Sequence, residues 1–213
     1  SLASLGNLSN VTEIGNSAFM GCSALESVGD MSNVTHIDSF AFHSCKSIAN
    51  IGDLDSVTFI GFAAFEQCTA LKSIGNMPNV TRIDDSAFRY CSALETIGDM
   101  PKLEQAGPYM LAQCNALKSV GNLNSLTVIP ARMFEEARNL TSLGNLSSVT
   151  TIDYNAFYGC RSLKSLNNLN SLTSIESNAF TGCTSLTSVG NLDKVKTIGD
   201  SAFSNCTSLT SVS

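Results

Sequence analysis

A repeat of 23 residues runs through the whole sequence and constrains its fold more than any other feature. "IGNSAFMGCSALESVGDMSNVTH" (14–36) is followed without a gap by "IDSFAFHSCKSIANIGDLDSVTF" (37–59). Eight such units fill 14–197, and parts of two more fill the ends, at 1–13 and 198–213. A fixed period of this length predicts a solenoid, in which each unit contacts only its neighbours and stacking buries one continuous core.

Each unit is expected to form short strands rather than helices. Its apolar residues recur at steps of three to six, and glycines such as Gly29 and Gly52 interrupt any sustained helical stripe. Segments such as "LESV" and "VTHI" are rich in β-branched residues, and a Gly followed by Asn or Asp lies between them, as a turn requires. Each unit is therefore predicted to be one coil of a parallel solenoid whose strands stack about 4.8 Å apart. The coils are numbered one to eight, from 14–36 to 175–197.

The eight cysteines follow the same period, at one position per unit beside a core phenylalanine. They are Cys22, Cys45, Cys68, Cys91, Cys114, Cys160, Cys183 and Cys206, and Ala137 holds the position in the remaining unit. We interpret them as small buried side chains that fill a tight corner. Stacked positions point their Cβ atoms in the same direction, which is poor disulfide geometry, and no CxxC or Cys/His pair has the spacing of metal ligands.

The motifs "AFxxCxxLxxI" and "VTxIG", repeated every 23 residues, are similar to the BspA-like leucine-rich repeats of bacterial and protozoan surface proteins. The resemblance covers the whole chain. It implies a β-rich, α/β-type solenoid, a right-handed leucine-rich-repeat coil with short parallel strands and tight or 3₁₀ turns, which makes 1–213 a single domain. It also implies a secreted bacterial adhesin, extracellular or on the cell surface, whose partners are host extracellular-matrix or surface proteins.

The two ends of the chain lack caps. Leu2 and Leu5 fall in register with core positions, and Leu209 and Val212 do so at the other end. Terminal coils of a solenoid normally need a polar outer face. We therefore expect the sequence to be a fragment of a longer chain, or its ends to be covered by a neighbouring molecule.

Composition argues against several classes of partner and activity. Charged residues are 14% of the chain, its net charge is -6 and its basic residues are scattered, which argues against nucleic-acid binding. The longest apolar runs are far shorter than the roughly 18 residues of a membrane span, so the chain is not expected to be membrane-embedded. Because no phosphate loop, nucleophile elbow or paired carboxylate motif occurs, we predict no catalytic residues, no enzyme activity and no cofactor.

Two polar features could suggest ligand sites but have simpler interpretations. Asn or Asp recurs once per unit beside the glycine turn, and we expect this column to cap backbone groups. Its members are Asn7, Asp30, Asp53, Asn76, Asp99, Asn122, Asn145, Asn168 and Asn191. His36, Asp38 and His43 are close in sequence, but their spacing matches no strong metal motif, so we interpret the histidines as surface residues and predict no metal.

Coils five and six break the repeat. They carry Ala106 in place of the inward isoleucine, Met-Leu at 110–111 in place of Ala-Phe, and two prolines, Pro108 and Pro130. Met-Leu roughly conserves the volume of Ala-Phe, so we expect a repacked core rather than an empty one. The break predicts either a local change of curvature or a bend that shapes a binding face.

The variable position of the "VTxI" strand changes character along the chain. It reads Glu13, His36, Phe59, Arg82 and Gln105, and then the smaller Val128, Thr151, Ser174 and Thr197. The three phenylalanines outside the core column, Phe40, Phe59 and Phe62, all lie in coils two and three. Exposed aromatic residues and arginines are typical contact anchors of protein interfaces, so the first half of the chain carries the predicted binding surface.

We therefore predict a non-enzymatic protein–protein recognition module. Its candidate binding residues are His36, Phe40, Phe59, Phe62, Arg82, Asp85 and Tyr109. Tyr154 and Tyr158 form a smaller, outlying aromatic pair. Three alternatives stay open: the large side chains only pack between coils, the aromatic rings stack on sugars in a carbohydrate-binding module, or the chain is an intracellular scaffold.

Overall fold

The structure, a computed structural model, describes residues 2–166 and 168–211, so Val212 lies outside the described residues. Thirteen two-residue strands, joined by turns, follow the 23-residue period, and this confirms the predicted solenoid. They are β1 (Glu13–Ile14), β2 (His36–Ile37), β3 (Phe59–Ile60), β4 (Ser73–Ile74), β5 (Arg82–Ile83), β6 (Thr96–Ile97), β7 (Gln105–Ala106), β8 (Ser119–Val120), β9 (Val128–Ile129), β10 (Ser142–Leu143), β11 (Thr151–Ile152), β12 (Ser174–Ile175) and β13 (Thr197–Ile198). Across the described ranges, no helix has the length and hydrophobicity that a membrane crossing requires.

The described strands form three parallel sheets, in each of which neighbouring strands come from neighbouring coils. The N-terminal sheet is β1-β2-β3-β5-β7, the C-terminal sheet is β9-β11-β12-β13, and the middle sheet is β4-β6-β8-β10. Paired residues differ by one period, as where Phe59 pairs with His36 and with Arg82. In most strands the first residue is the more exposed and the second is buried, because side chains alternate along a strand. The inward residues therefore build the core, and the outward residues are free to vary.

Phenylalanine rings form two stacks inside the solenoid. The first contains Phe19, Phe42, Phe65 and Phe88, and the second contains Phe134, Phe157, Phe180 and Phe203. Neighbouring ring centroids lie 5.1 to 5.3 Å apart, with ring planes within 16° of each other, because the spacing of the coils sets the spacing of the rings. Leu111, fully buried, occupies the position between the two stacks.

The cysteine column contains no disulfide among the described residues, and its thiols bond to the backbone. From Cys45 onward, each Sγ donates to the carbonyl oxygen of the core phenylalanine one coil earlier, at 3.0 Å for Cys45 and Phe19 and at 3.1 to 3.3 Å for the others. Six of the eight thiols are buried, which confirms their interpretation as small core side chains. Burial raises the pKa of Cys45 to about 11 and that of Cys114 to about 12.

The column of Asn and Asp residues caps backbone groups, as predicted, and it does so in two ways. Along the middle sheet, Asn76 Oδ1 accepts from the N–H of Asp99, and Asp99 Oδ1 accepts from the N–H of Asn122 in the next coil, at 2.9 and 2.8 Å. Nearer the N-terminus, Asp30 Oδ1 accepts from the N–H of Ser32 in its own coil, and this bond lowers the pKa of Asp30. The column therefore joins neighbouring coils along the middle sheet and closes local turns elsewhere.

A break separates the N-terminal sheet from the C-terminal sheet, between β7 and β9, and Pro130 accounts for one of the missing bonds. At the equivalent position of other coils a backbone N–H donates to the carbonyl of the coil before, as from Gly107 to Ile83 at 2.8 Å and from Asp153 to Ile129 at 3.0 Å. Pro130 has no N–H and cannot make this bond. The irregular coils five and six therefore correspond to a break in one sheet, which the middle sheet spans through β6, β8 and β10.

Candidate functional site

Three of the predicted binding residues lie side by side on the N-terminal sheet. His36, Phe59 and Arg82 are the outward residues of β2, β3 and β5, and we call them the strand stripe. The ring centroids of His36 and Phe59 lie 6.0 Å apart, and the guanidinium carbon of Arg82 lies 5.6 Å from the centroid of the Phe59 ring. Arg82 Nε also donates to Asp84 Oδ1 at 2.6 Å, which orients the guanidinium. The register of the sheet thus builds one continuous surface from two rings and a cation.

A turn follows the strand of each coil that carries the outward position, and we call it the phenylalanine corner. It contains two residues in the left-handed conformation. In coil two these are Phe40 and Ser44, with φ of 58° and 59°. Corners of neighbouring coils stack in register because their backbones bond, as where the N–H of Phe40 donates to the carbonyl of Phe62 at 2.8 Å. Nine corners are described, one of them in the partial unit 198–213; the first left-handed position holds Ser, Ala or Asn in six of them and Phe40, Tyr109 or Arg132 in the other three. This conformation costs a bulky residue roughly 1 to 2 kcal/mol, so the three large side chains are unusual there.

Phe40 and Phe62 contact each other at the corners of coils two and three. Their rings meet edge to face with centroids 5.1 Å apart, and the ring of His43 lies 5.7 Å from that of Phe40. His43 Nε2 lies 3.5 Å from a carboxylate oxygen of Glu66. We call these four residues the phenylalanine patch. Phe62 keeps 41% of its surface exposed, so the patch presents an open aromatic face beside a polar pair.

A second set of contacts runs over the corners of coils four to seven. The guanidinium carbon of Arg89 lies 4.7 Å from the ring centroid of Tyr90 and 4.8 Å from that of Tyr109. The guanidinium carbon of Arg132 lies 5.4 Å from the ring centroid of Tyr109 and 5.2 Å from that of Tyr154. We call these five residues the tyrosine–arginine ladder. Tyrosine and arginine alternate along it: coil four supplies both Tyr90 and Arg89, and the next three corners supply Tyr109, Arg132 and Tyr154.

Polar contacts hold the two arginines of the ladder in place. Arg89 Nη2 donates to the hydroxyl of Tyr90 at 3.2 Å, and Arg132 Nη1 lies 3.4 Å from a carboxylate oxygen of Glu135. Burial alone lowers the pKa of Arg132, but Glu135 and the two adjacent tyrosines favour the charged form and raise the pKa overall. Aromatic rings therefore lie beside both guanidinium groups while polar contacts orient them.

The predicted binding residues fall into three groups on the surface rather than one. His36, Phe59 and Arg82 form the strand stripe, Phe40 and Phe62 belong to the phenylalanine patch, and Tyr109 belongs to the ladder. Asp85 is exposed and belongs to none of the three. Its carboxylate oxygen lies 2.5 Å from where a Cβ on Gly107 would be, so Asp85 packs against the corner of coil five.

Four residues of the ladder, Arg89, Tyr90, Arg132 and Tyr154, are not among the predicted binding residues. Arg132 occupies the same corner position as Phe40 and Tyr109, so a comparison of corner positions between coils would have identified it. Tyr154, which the sequence places in a smaller outlying pair, completes the ladder. The strand position alone did not reveal these contacts, because they form on the corner.

His36, Asp38 and His43 do not converge on one point. The ring of His36 lies against Phe59 in the strand stripe, whereas His43 pairs with Glu66 in the phenylalanine patch. In residues 2–166 and 168–211, no group of three or more His, Cys, Asp or Glu side chains is placed to hold a metal ion.

Comparison with known proteins gives a family and a set of similar structures. The model of the BspA type leucine rich repeat region (6 copies) matches residues 1–118 and 127–213. The unmatched residues between these two ranges belong to coil five, where the repeat is irregular. No curated protein matches the chain significantly.

Several solved bacterial leucine-rich repeat proteins are similar to the chain. The leucine rich repeat protein of T. pallidum is 28% identical with a TM-score of 0.64, over 83% of this chain and 72% of that chain. A leucine-rich repeat protein from Eubacterium ventriosum is 16% identical with a TM-score of 0.56, over 94% of this chain and 81% of that chain. A third, from Bacteroides ovatus, is 29% identical with a TM-score of 0.47, over 93% and 69%.

Proposed function

The chain belongs to the BspA-type leucine-rich repeat family, and from this we propose that it is a non-enzymatic recognition module that adheres to proteins at a bacterial cell surface. Leucine-rich repeats are generally a recognition fold without catalysis, and solenoids of this kind present an extended surface on a regular core. The partner that we propose is a protein of a host cell surface or of the extracellular matrix. Family membership supports the class of function, and the exposed aromatic side chains support its location on the molecule.

The strand stripe is the observation that carries the proposal. An outward position on an exposed sheet has no need of a large aromatic residue, and the C-terminal sheet places Thr or Ser at the same position in three of its four strands. Phe59 is held between His36 and Arg82, and Arg82 is in turn held by Asp84. Aromatic residues and arginines fixed in one geometry are typical of interface hot spots, because they lose little side-chain freedom on binding.

The phenylalanine patch and the ladder extend this surface from the strands onto the corners. Charged groups of both signs border the aromatic rings, among them Glu66, Asp84 and Glu135 on the acidic side. An aromatic centre with a polar rim is the usual anatomy of a protein interface. We therefore propose that the partner lies along the stack of coils and contacts the strand stripe first, with the corners as the flank of the interface.

A carbohydrate partner is the second candidate, and the exposed tyrosines favour it. Tyr90 and Tyr154 expose 37% and 40% of their surface, and Arg89 and Arg132 cover one side of each ring. An open ring face can stack on the apolar face of a sugar, and neighbouring guanidinium groups can donate hydrogen bonds to its hydroxyls. A sugar would contact the ladder, whereas a protein would contact the strand stripe.

Binding assays with the purified chain test both candidates. The probes are a panel of immobilised extracellular-matrix proteins and a glycan array. We expect saturable binding to at least one matrix protein, weakened by Phe59→Ala and unchanged by Thr151→Ala, the matched control on the C-terminal sheet. Binding to glycans alone, without any matrix protein, would contradict the protein partner and favour the carbohydrate. Equal binding by the two variants would exclude the strand stripe as the binding surface.

Antibody labelling of the source cells tests the proposed location. We expect an antibody against the chain to label intact cells. Labelling that requires permeabilised cells would contradict an adhesin and favour an intracellular scaffold.

A further inference from the structure

The break between β7 and β9 also interrupts the columns inside the solenoid. The first ring stack ends at Phe88 and the second begins at Phe134, with Leu111 between them. Cys160 donates its thiol hydrogen to the carbonyl of Phe134, but Ala137 has no thiol to donate to the carbonyl of Leu111. Strand bonds, stacked rings and thiol bonds are therefore all interrupted between coils five and six.

Backbone bonds still cross this level away from the broken strands: at the corner, along the middle sheet, and in the turn after it, where the N–H of Leu123 donates to the carbonyl of Asn145 at 3.1 Å. β8 pairs with β10 in the middle sheet, and the N–H of Leu111 donates to the carbonyl of Met133 at the corner, at 2.9 Å. Met110, Leu111 and Met133 are fully buried, so the core is filled. Coils five and six therefore pack against each other, and backbone bonds join them at the corner and along the middle sheet. Among the described residues, no strand bonds join them at β7 and β9. Because strand bonds are missing on that side, the corner bonds carry a larger share of the contact between the two halves.

The tyrosine–arginine ladder crosses the same level on the surface. Tyr109 belongs to coil five and Arg132 to coil six, and Arg132 continues to Tyr154 in coil seven. Tyr109 and Arg132 have φ of 57° and 58°, a conformation that Ser or Asn would adopt with less strain. The chain thus places two strained, bulky residues in contact at the level where the sheet bonds are missing.

We propose that the level between β7 and β9 is a joint between two halves of the solenoid, and that Tyr109, Arg132 and Tyr154 form a strap that holds it closed. Loss of the strap lets the coils on either side separate locally while both halves stay folded. The proposal is independent of any partner. Because a partner that contacts Tyr109 or Arg132 would compete with the strap, binding there and opening of the joint would be thermodynamically linked.

Hydrogen exchange of the whole chain, measured by mass spectrometry, tests the strap. Arg132→Ser removes it and introduces a residue that other coils carry at this corner. The amides of Tyr109, Leu111 and Gln113 bond across the joint, and their exchange should become about fivefold faster on loss of an exposed cation–π contact. The amides of Phe40 and Phe42, which make the same bonds between coils two and three, should exchange at unchanged rates.

Arg82→Ala is the matched control, because it removes a cation–π contact from an unbroken sheet. It should leave exchange at the joint unchanged. Tyr109→Ser removes the strap from its other side and should reproduce the effect of Arg132→Ser on the amides of Leu111 and Gln113. Unchanged exchange of these amides in both strap variants would overturn the strap, and so would an equal increase at Phe40 and Phe42.

Pro130→Gly tests the joint itself. Glycine is the native residue at the equivalent positions Gly61, Gly107 and Gly199, and it supplies the missing N–H. In this variant the amides at 109–113 should exchange more slowly than in the unmodified chain. Adding Arg132→Ser to it should no longer make their exchange faster. The same exchange with Pro130 as with glycine would show that the missing strand bond does not create a joint, and would overturn the proposal.

Discussion

The N-terminal and C-terminal sheets share one backbone arrangement and one inward column, and they differ in the outward column. Inward Ile60 and Ile83 of the first sheet correspond to Ile152 and Ile175 of the second, and all four are at most 1% exposed. The outward column carries rings and a guanidinium in the first sheet and mostly hydroxyl side chains in the second. The comparison teaches that this repeat can vary its outward residues without changing its inward column, because alternate residues of one strand point to opposite sides.

The two outward columns also differ in the contacts that neighbouring side chains make with each other. On the C-terminal sheet, the hydroxyl oxygens of Ser174 and Thr197 lie 2.7 Å apart and bond to each other. On the N-terminal sheet, His36 and Arg82 contact the ring of Phe59. A row of bonded hydroxyls offers a partner little apolar area, whereas a row of rings offers a larger one, which is why the proposal places the partner on the N-terminal sheet.

Alkaline pH should have the largest effect on the free energy of unfolding, and it should distinguish the N-terminal half of the solenoid from the C-terminal half. An unfolded thiol titrates near pH 9.0, whereas burial raises the pKa of Cys45 to about 11 and that of Cys114 to about 12. Below pH 9 both states keep their thiol protons, and the stability is fully present. Above it the unfolded state loses protons that the folded state retains, so the free energy of unfolding falls by up to about 1.4 kcal/mol per pH unit for each buried thiol.

Urea unfolding at pH 8 and pH 10 measures this loss, and site-resolved thiol alkylation shows where it begins. Four buried thiols precede the joint and two follow it, so the N-terminal half should unfold first. They are Cys45, Cys68, Cys91 and Cys114, followed by Cys160 and Cys183. An unfolding midpoint that is the same at both pH values would contradict the linkage, and alkylation that begins at Cys160 and Cys183 would contradict the order.

Removal of a core ring should cost each half the same free energy. Phe65→Ala in the first stack and Phe157→Ala in the second should each lower the free energy of unfolding by about 3 to 5 kcal/mol, because each leaves a large cavity. Chemical unfolding followed by circular dichroism provides the measurement. A cost that differs several-fold between Phe65 and Phe157 would show that the two inward columns are not equivalent.

The strand stripe should affect binding without affecting stability. Phe59→Ala or Arg82→Ala should weaken binding of a confirmed partner by about 1 to 2 kcal/mol, the range of interface hot spots, while the melting temperature stays nearly unchanged. Thr151→Ala and Ser174→Ala, at the same position of the C-terminal sheet, should change neither quantity. Titration calorimetry and thermal melting measure the two quantities. If Phe59 only fills a gap between coils, its removal will instead lower the melting temperature and leave the affinity intact.

Truncation of one thiol should have the smallest effect. Cys68→Ala leaves a small cavity and removes one weak hydrogen bond to the Phe42 carbonyl, so it should cost about 1 kcal/mol of unfolding free energy. In the unmodified chain, few thiols should react with a labelling reagent before denaturation, and all eight should react after it. Detection of a disulfide between Cys22 and Cys45 would contradict the free, hydrogen-bonded column.

The repeat predicted the inward columns and the strand stripe because both depend only on the period and on side-chain alternation. It did not predict the tyrosine–arginine ladder, since that contact joins Arg89 to a residue 20 positions later, and Tyr109 is at a left-handed corner position that the repeat does not reveal. The position of the break could be read from irregular residues. The contribution of Pro130 could not, because only the strand register shows that Pro130 stands where an N–H would donate.

The central claim is that the outward residues of the N-terminal sheet bind a partner and that its inward residues stabilise the fold. The most direct measurement replaces the strand stripe with the outward column of the C-terminal sheet, through His36→Thr, Phe59→Ser and Arg82→Thr in one chain. We predict that the affinity for the matrix protein identified in the panel falls by about 100-fold or more, while the free energy of unfolding changes by no more than about 1 kcal/mol. A fall of several kcal/mol in the free energy of unfolding, with the affinity unchanged, would contradict the account and make the stripe a packing feature.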